Sequence, residues 1–500
     1  MGLEREIKFE APLGLALPDL RPIVGRTVRL PEEHLVTTYL ETSDRRLWHQ
    51  GLTLRHRTTK ESREGTWTLK VPHDSPGPGL MRSEVSCPGQ SDEVPKGLQS
   101  VLRGVLRREP LRPLVTLETT RQRLALRGDR DQPVAELDDD LVLVVGGLRD
   151  GLQFRQVELE LLEQEWEGRE VIRHLEAAGV RVGSVPKLAK AVDLPPGSSS
   201  KPLVSKHATL GTVVQAAVRS GVDRLVRHDW SLRLAGSEPG RTDVHRARVA
   251  TRRLRSDLKT FGSILDAMWT RHVRSDLKWL GTALGEVRDV DVLTEHLTDA
   301  PPLLEQRLAA QRAAATRRLS EVLESGRYLD LLDKLHAASE RLPLAYGAQA
   351  EAQRPARKAL PTLVGARWRA VRRQVRRAGA KPSATQLHQI RIKTKQLRYA
   401  AEASVPVVGH SARRTASAAE HIQTVLGQHH DAVASETWLR DQVKAVAMTP
   451  GNTGLSPFVA IEVGRLIAEA RRRREKARRR WNTAWSGFAK SKRHRWLRKS

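Results

Sequence analysis

Glu4, Glu6 and Lys8 alternate in EREIKFE (residues 4–10), and Glu158 and Glu160 repeat the device in FRQVELELLE (154–163). On an extended chain alternate residues share a face. Each run therefore sets two carboxylates side by side, with Leu3, Ile7 and Phe9, or Val157, Leu159 and Leu161, turned the other way. Neighbouring carboxylates repel and call for a cation between them, and oxygen donors suit Mg²⁺ or Mn²⁺. Bases alternate in the same manner: Arg55 and Arg57 in LTLRHRTT, Lys70 in GTWTLKVP, Arg82 with Glu84 in MRSEVS, and Arg121 and Arg123 in ETTRQRLAL. Glu136, Asp138 and Asp140 share a face of AELDDDLV. Guanidinium and ammonium groups grip phosphate oxygens while carboxylates hold the ion that neutralises them, so the chemistry suggested is the handling of a metal-bound chain of phosphates. No Ser or Cys nucleophile motif competes for the role.

Eight strand-like runs must position these residues: EREIKFE, LVTTYLET, LTLRHRTT, GTWTLKVP, RSEVSC, VTLETTRQRLAL, VAELDDDLVLVV and FRQVELELLE. Turn-rich pieces at 73–79 and 127–133 separate some of them, and helical connections are expected at 96–108 and 168–178. Half-exposed strands also alternate apolar and charged residues with the charges in water. Eight doing so together point to a closed antiparallel sheet whose interior is wide enough for side chains or one small ligand.

DLPPGSSSKP (193–202) has the composition of a tether, and beyond it the alternation gives way to Ala/Leu/Arg-rich helical periodicity. The expected division is 1–195, a linker at 196–204, and an all-α region over 205–500. That region contains a duplication. HRARVATRRLR (245–255) returns as HQIRIKTKQLR (388–398), matching His245 to His388, Arg248 to Arg391, Arg252 to Lys395 and Arg255 to Arg398. ALGEVRDVDVL (283–293) returns as VLGQHHDAVAS (425–435). Two copies of one helical unit are expected, about 207–345 and 350–490. At 3.6 residues per turn the four basic positions fall in one arc, with Ala247, Ala250, Leu254, Leu258 and Phe261 opposite.

The charge is as uneven as the periodicity. Residues 1–200 carry 29 Lys and Arg against 31 Asp and Glu, while residues 201–500 carry 57 against 27. The second region therefore holds the whole formal excess of +28, a field that attracts a polyanion. Cys87 is the single cysteine, which excludes an internal disulfide and fits a reducing compartment. MGLEREIKFE has no apolar run of the kind a secretory signal needs, and no stretch approaches the ~20 apolar residues of a membrane span. A soluble, cytoplasmic protein is expected.

Residues 1–190 resemble a CYTH domain, the triphosphate tunnel metalloenzyme fold, through Glu4-Arg5-Glu6-Ile7-Lys8, the Arg pair and the late ExE. Residues 205–490 resemble a CHAD domain, a conserved-histidine α-helical domain, through HRARVATRRLR and HQIRIKTKQLR. The first resemblance implies a β-barrel tunnel that binds triphosphate compounds with a divalent metal. In it Glu4, Glu6, Glu158 and Glu160 would be metal-side acids, joined by an acid of the AELDDDLV strand for which parity favours Glu136 and Asp138. Lys8, Arg55, Arg57, Lys70 and Arg123 would bind phosphate oxygens, with Arg82 and Arg121 beside them and Lys187 or Lys190 as the late tunnel lysine. The second implies binding of inorganic polyphosphate by His245, Arg248, Arg252, Arg255, His388, Arg391, Lys395 and Arg398.

The expected activity is metal-dependent hydrolysis of inorganic triphosphate or a related triphosphate, with Glu4, Glu6 and Lys8 at its centre. The competing readings are a polyphosphate-binding protein without turnover, a nucleic-acid binder suggested by ARRRREKARRRW (470–481) and the basic tail at 490–500, and an adenylate cyclase on the same fold.

Overall fold

The computed structural model describes residues 2–59, 64–72, 80–163, 166–183, 185–193, 204–236, 238–447, 456–489 and 496–497, without the side chains of 2–4, 80–82 and 447. The turn at 73–79, most of the linker and tail, and the side chains of Glu4 and Arg82 lie outside the described residues. The chain divides into two compact units, residues 1–199 and 200–500.

Among the described residues the first unit has ten strands: β1 (Gly2–Ala11), β2 (Arg26–Arg29), β3 (Glu33–Glu41), β4 (Thr53–Thr59), β5 (Gly65–Pro72), β6 (Leu80–Gly89), β7 (Arg112–Arg127), β8 (Pro133–Val145), β9 (Gln153–Leu161) and β10 (Arg181–Gly183). Its helices are α1 (Arg46–His49), α2 (Lys96–Leu106), α3 (Arg169–Ala177) and α4 (Lys187–Val192). All eight runs read from the sequence are strands, and the count of eight is corrected to ten. The additions, β2 and β10, span four and three residues, too short for alternation to be legible. Helices α2 and α3 fall on the two expected helical connections.

Every pairing is antiparallel, in the order β10-β1-β6-β5-β4-β3-β7-β8-β9, with β2 on β7. Strand β1 pairs with β6 through residues 2–6 and with β9 through residues 6–11, so it adjoins both arms of that path. The apolar face of β1, β8 and β9 (Phe9, Leu137, Val157, Leu159) is buried against Val171 and Leu175 of α3 and against Leu20 and Val24. Burying that face turns the intervening residues of the same strands, the acids and bases, to the other side.

The second unit is helical: α5 (Leu210–Leu234), α6 (Arg241–Thr260), α7 (Ala267–His296), α8 (Pro302–Glu324), α9 (Gly326–Glu340), α10 (Gln349–Gln353), α11 (Ala356–Ala378), α12 (Ala384–Val408), α13 (His410–Ala447) and α14 (Pro457–Ala489). Sequence neighbours α5–α6–α7–α8 pack in succession, as do α11–α12–α13–α14, and α6 meets α12 between the two sets. Helix α6 buries Ala247, Ala250, Leu254 and Leu258, the predicted apolar arc. It approaches α5 at Gly221, where a Cβ would stand 2.3 Å from Leu254 Cδ2, so any larger residue would displace the Leu254 side chain. Helix α12 begins with a capping box of Ser383 and Gln386, which satisfies two N–H groups that the first turn leaves unpaired. The echoed segments are placed alike: Thr251 and Thr394 each donate to the carbonyl four residues back at 2.9 Å. Arg248 lies against Gly285 and Arg391 against Gly427.

Candidate functional sites

In the first unit, register decides which charges meet. Glu6 lies opposite Glu160 and Lys8 opposite Glu158 on β9. Asp138 is opposite Glu158 and Glu136 opposite Glu160. Arg121 faces Asp140 and Arg123 faces Asp138. Arg55 and Arg57 stand beside Tyr39 and Thr37 of β3. Lys70 stands beside Glu84 of β6. Directly opposed residues have Cβ atoms ~5 Å apart, within reach of a salt bridge.

The side chains complete a network. Lys8 bridges Glu6 and Glu158, the latter at 2.8 Å. Lys187 Nζ contacts Glu158 at 2.8 Å and also reaches Asp140. Arg121 donates twice to Asp140, both at 2.8 Å, and pairs with Asp138. Lys70 pairs with Glu84. Arg57 Nε donates to Thr37 Oγ1 at 3.2 Å. Arg123, nearer solvent, is held by Glu136 at 2.6 Å and Glu33 at 2.8 Å. Glu6, Lys8, Tyr39, Arg55, Lys70, Glu158 and Lys187 line a cavity of about 40 Å³, room for little more than water. The middle acid of the LDDD run, Asp139, is on the opposite face with Arg155 at 2.7 Å. Of the two lysine candidates Lys187 reaches the cavity, whereas Lys190 pairs with Glu10 at 3.0 Å and lies over Phe154.

Burial opposes ionisation throughout this network, and local charge decides each outcome. Despite burial, Glu158 and Glu6 hold the Lys8 ammonium above the ordinary lysine range, while Lys187 and Lys8 hold the Glu158 carboxyl well below its usual value. In two groups the compensation falls short, in Asp138 despite its pairing with Arg121. Burial together with Asp140, Glu136 and Glu158 pushes the Asp138 carboxyl up to about 7, and its Oδ1 is buried without a hydrogen-bond partner. Burial, Arg55 and Arg121 press the Arg57 guanidinium down to about 10. One acid and one guanidinium of the network are thus left under-neutralised, while Lys8, Arg121, Asp140 and Glu158 neutralise one another. Among the described residues no three acids, histidines or cysteines are grouped to hold a metal; Glu6, Glu158 and Asp140 are each turned to a lysine or arginine.

The sequence reading left Asp140, Tyr39 and Glu84 out of the site. Asp140, the most buried of these acids, had the parity signal. Tyr39 lies two residues from Thr37 on the inward face of β3, and nothing in TTYLET marks it as polar.

In the second unit, Arg248, Arg252 and Arg255 of α6 line one groove of about 330 Å³ with His388, Arg391 and Lys395 of α12. The other two predicted residues lie outside its lining. Arg398, the counterpart of Arg255, is held by Glu402 at 2.7 Å and Glu420 at 2.8 Å. His245 lies near Arg288, Arg252 and Arg248, which with burial lower its pKa. Lys259, Arg274, Tyr399 and His430 complete the wall. Lys259 continues the α6 arc one turn past Arg255 and was legible by spacing; Arg274 comes from α7, beyond any local pattern. Arg252 Nε donates to Tyr399 Oη at 3.0 Å, and the His388 and His430 Nδ1 atoms are 3.3 Å apart.

Few carboxylates answer these cations. Burial, Arg252, Arg391 and Arg248 drive the Lys395 ammonium down to about 5, and burial with Arg391, His388 and Lys395 drives His430 to about 4. The Nε–H groups of Arg255, Arg274 and Arg391 are buried without a partner among the described residues. Buried donors left unpaired are costly.

The family model for the CYTH domain matches residues 2–189, and that for the CHAD domain matches residues 216–440. The chain is a CYTH domain followed by a CHAD domain. An uncharacterised protein of Mycobacterium tuberculosis is 28% identical over 487 residues, 89% of each chain. The crystal structure of a CHAD domain from Ricinus communis is similar to 58% of this chain and 94% of its own, at 23% identity and a TM-score of 0.46. A Hippeastrum protein, named for adenylyl cyclase and showing a dominant triphosphatase activity, is similar to 38% of this chain and 94% of its own, at 16% identity and a TM-score of 0.24. In the CYTH and CHAD domains described here no helix, among the described residues, is long and apolar enough to cross a membrane.

Proposed function

We propose that the CYTH domain hydrolyses inorganic triphosphate or a related triphosphate inside a tunnel ringed by β1 and β3–β9. The convergence of Lys8, Arg55, Lys70 and Lys187 on one cavity with Glu6 and Glu158 carries this reading. A divalent ion held by Glu6, Asp138, Glu158 and Glu160, Mg²⁺ or Mn²⁺ by its all-oxygen donors, would supply charge neutralisation along the phosphate chain. The bases bind and orient the phosphate oxygens and stabilise the charge that develops on the transferred group. A second metal or a tunnel carboxylate would orient the attacking water. Ligand entry exchanges partners: Lys8 and Lys187 turn from Glu158 to phosphate, and no buried charge is left alone. Phosphate release from tripolyphosphate with Mg²⁺ tests this; Glu6→Gln should abolish it while leaving the secondary structure unchanged, and undiminished turnover would sink the assignment.

For the CHAD domain we infer a docking groove for inorganic polyphosphate, built by two copies of one helical unit. The unpartnered Nε–H groups of Arg255, Arg274 and Arg391 carry this reading. Long polyphosphate should bind the full chain and be displaced by salt; binding indifferent to salt would argue against it. RNA used as a competitor separates this groove from a nucleic-acid surface.

A further inference from the structure

Lys395 is unusual even within the groove. It is 8% exposed, and among the described residues no carboxylate lies within ion-pair distance of its ammonium. Three guanidinium groups surround it: Arg248 and Arg252 from α6 and Arg391 from its own helix. Burial and these same cations also lower the pKa of His388 on α12 and His430 on α13. Asp431 on α13 is the carboxylate that acts on Lys395, and too weakly to offset the arginines. At neutral pH the side chain is therefore a free amine, a nucleophile, where most lysines are protonated. Beside it stand guanidinium groups with unused donors, suited to the oxygens of a phosphate monoester or anhydride.

We propose that Lys395 is a covalent modification site for small acyl phosphates, which the groove arginines hold by their phosphate end while the amine takes the acyl group. The Lys395 nitrogen attacks the carbonyl carbon, and the bond from that carbon to the phosphate oxygen breaks as the amide forms. Inorganic phosphate leaves with the electron pair of the broken bond, and the surplus proton of the amine passes through water to it. No oxidant or further reactant is needed. The product is an uncharged amide inside the groove, and it removes the ability of Lys395 to become a cation when an anion arrives. The inference rests on the groove being a phosphate site, and it adds a chemical way to switch that site off.

The test uses the full chain, acetyl phosphate at pH 7, and peptide mass spectrometry over time. Lys395 should acetylate roughly tenfold faster or more than the exposed Lys358, Lys381 and Lys476, because an ordinary lysine is only about one part in a thousand free amine at that pH. Pyrophosphate should slow labelling of Lys395 and leave the exposed lysines unchanged, a measurement that needs no variant. Arg391→Gln and Arg252→Gln, each made separately, should remove the preference. An equal rate at Lys395 and the surface lysines overturns the proposal. So does an equal preference for p-nitrophenyl acetate, which has no phosphate to steer it. Polyphosphate binding is measured on the same samples: binding without selective labelling sinks the modification alone, and selective, pyrophosphate-sensitive labelling without polyphosphate binding sinks only the docking proposal.

Discussion

The interior of the CYTH sheet and the groove of the CHAD bundle are both lined by lysine and arginine, yet their electrostatics run in opposite directions. In the sheet Lys8 is held above its ordinary range because Glu158 and Glu6 outweigh burial. In the groove Lys395 falls to about 5 because burial is reinforced by three arginines. One site carries its own counter-charges. The other has few: Asp289 meets Arg248 at 3.3 Å, and among the described residues no carboxylate pairs with Lys395. Counting basic residues does not distinguish the two; the carboxylates opposite do, and strand register or helix packing decides where those are.

Removing a carboxylate from the self-compensated site should have the largest consequence. Glu158 receives both Lys8 and Lys187, so Glu158→Gln leaves two buried ammonium groups short of a partner. Losing one member of a buried ion pair costs about 3–5 kcal/mol, and loss of a charged site group lowers turnover by roughly 10²–10³-fold. Thermal unfolding and phosphate release should both register it; an unchanged midpoint and rate would show that the network does not matter. Chelating divalent ions with EDTA should likewise stop phosphate release, with full recovery on adding Mg²⁺.

The groove should respond to salt where the sheet interior does not. If six or more cations meet phosphate, polyphosphate affinity falls by about 10³-fold or more between 50 and 200 mM salt. Arg391→Gln or Arg252→Gln should lower the slope of log K against log salt by about one each. A slope indifferent to both substitutions would place the polyanion elsewhere, with the basic α14 run at 470–481 the next region to test.

The proton makes a finer distinction. The free groove holds Lys395 neutral above about pH 5, and a bound anion favours its charged form, so docking takes up a proton. Affinity should therefore fall as pH rises from about 5, by up to about tenfold per unit for one proton. Folding has the opposite sign, and stability rises with pH. The unfolded chain protonates this lysine up to its ordinary pKa, so the penalty for burying it is greatest at low pH and fades as pH rises from about 5. Lys395→Arg, charged throughout, should flatten its share of the binding profile. A profile just as steep would assign the proton to His388 or His430.

Much of this was legible in the sequence because a period of two is a strict rule. Once Phe9, Val157 and Leu159 are buried, Glu6, Glu158 and Glu160 have one direction left. What parity cannot give is register. It grouped Glu136, Asp138 and Asp140 without showing that Asp140 sits deepest, between Arg121 and Lys187. It could not choose Lys187 over Lys190 either, since both lie on a short helix whose docking is tertiary. In the bundle the repeat identified α6 and α12 and their basic arcs, while Arg274 entered the wall from another helix, and no spacing within HRARVATRRLR contains that.

The smallest predicted effect is the most selective test of how far an internal repeat transmits function. Arg255 and Arg398 are equivalent by alignment, but Arg255 lines the groove with a buried, unpartnered Nε–H, whereas Arg398 is clamped by Glu402 and Glu420. Arg255→Gln should weaken polyphosphate binding several-fold, about 1 kcal/mol for a lost charge-assisted hydrogen bond. Arg398→Gln should leave the affinity within twofold, and at half-exposed ion pairs its cost to folding should be small. Equal losses at both positions would mean that the repeat preserves a binding role which the carboxylates around Arg398 do not block. Unequal losses would mean that duplication copied the residue while the new neighbours of the second copy, Glu402 and Glu420, redirected it to holding helices together.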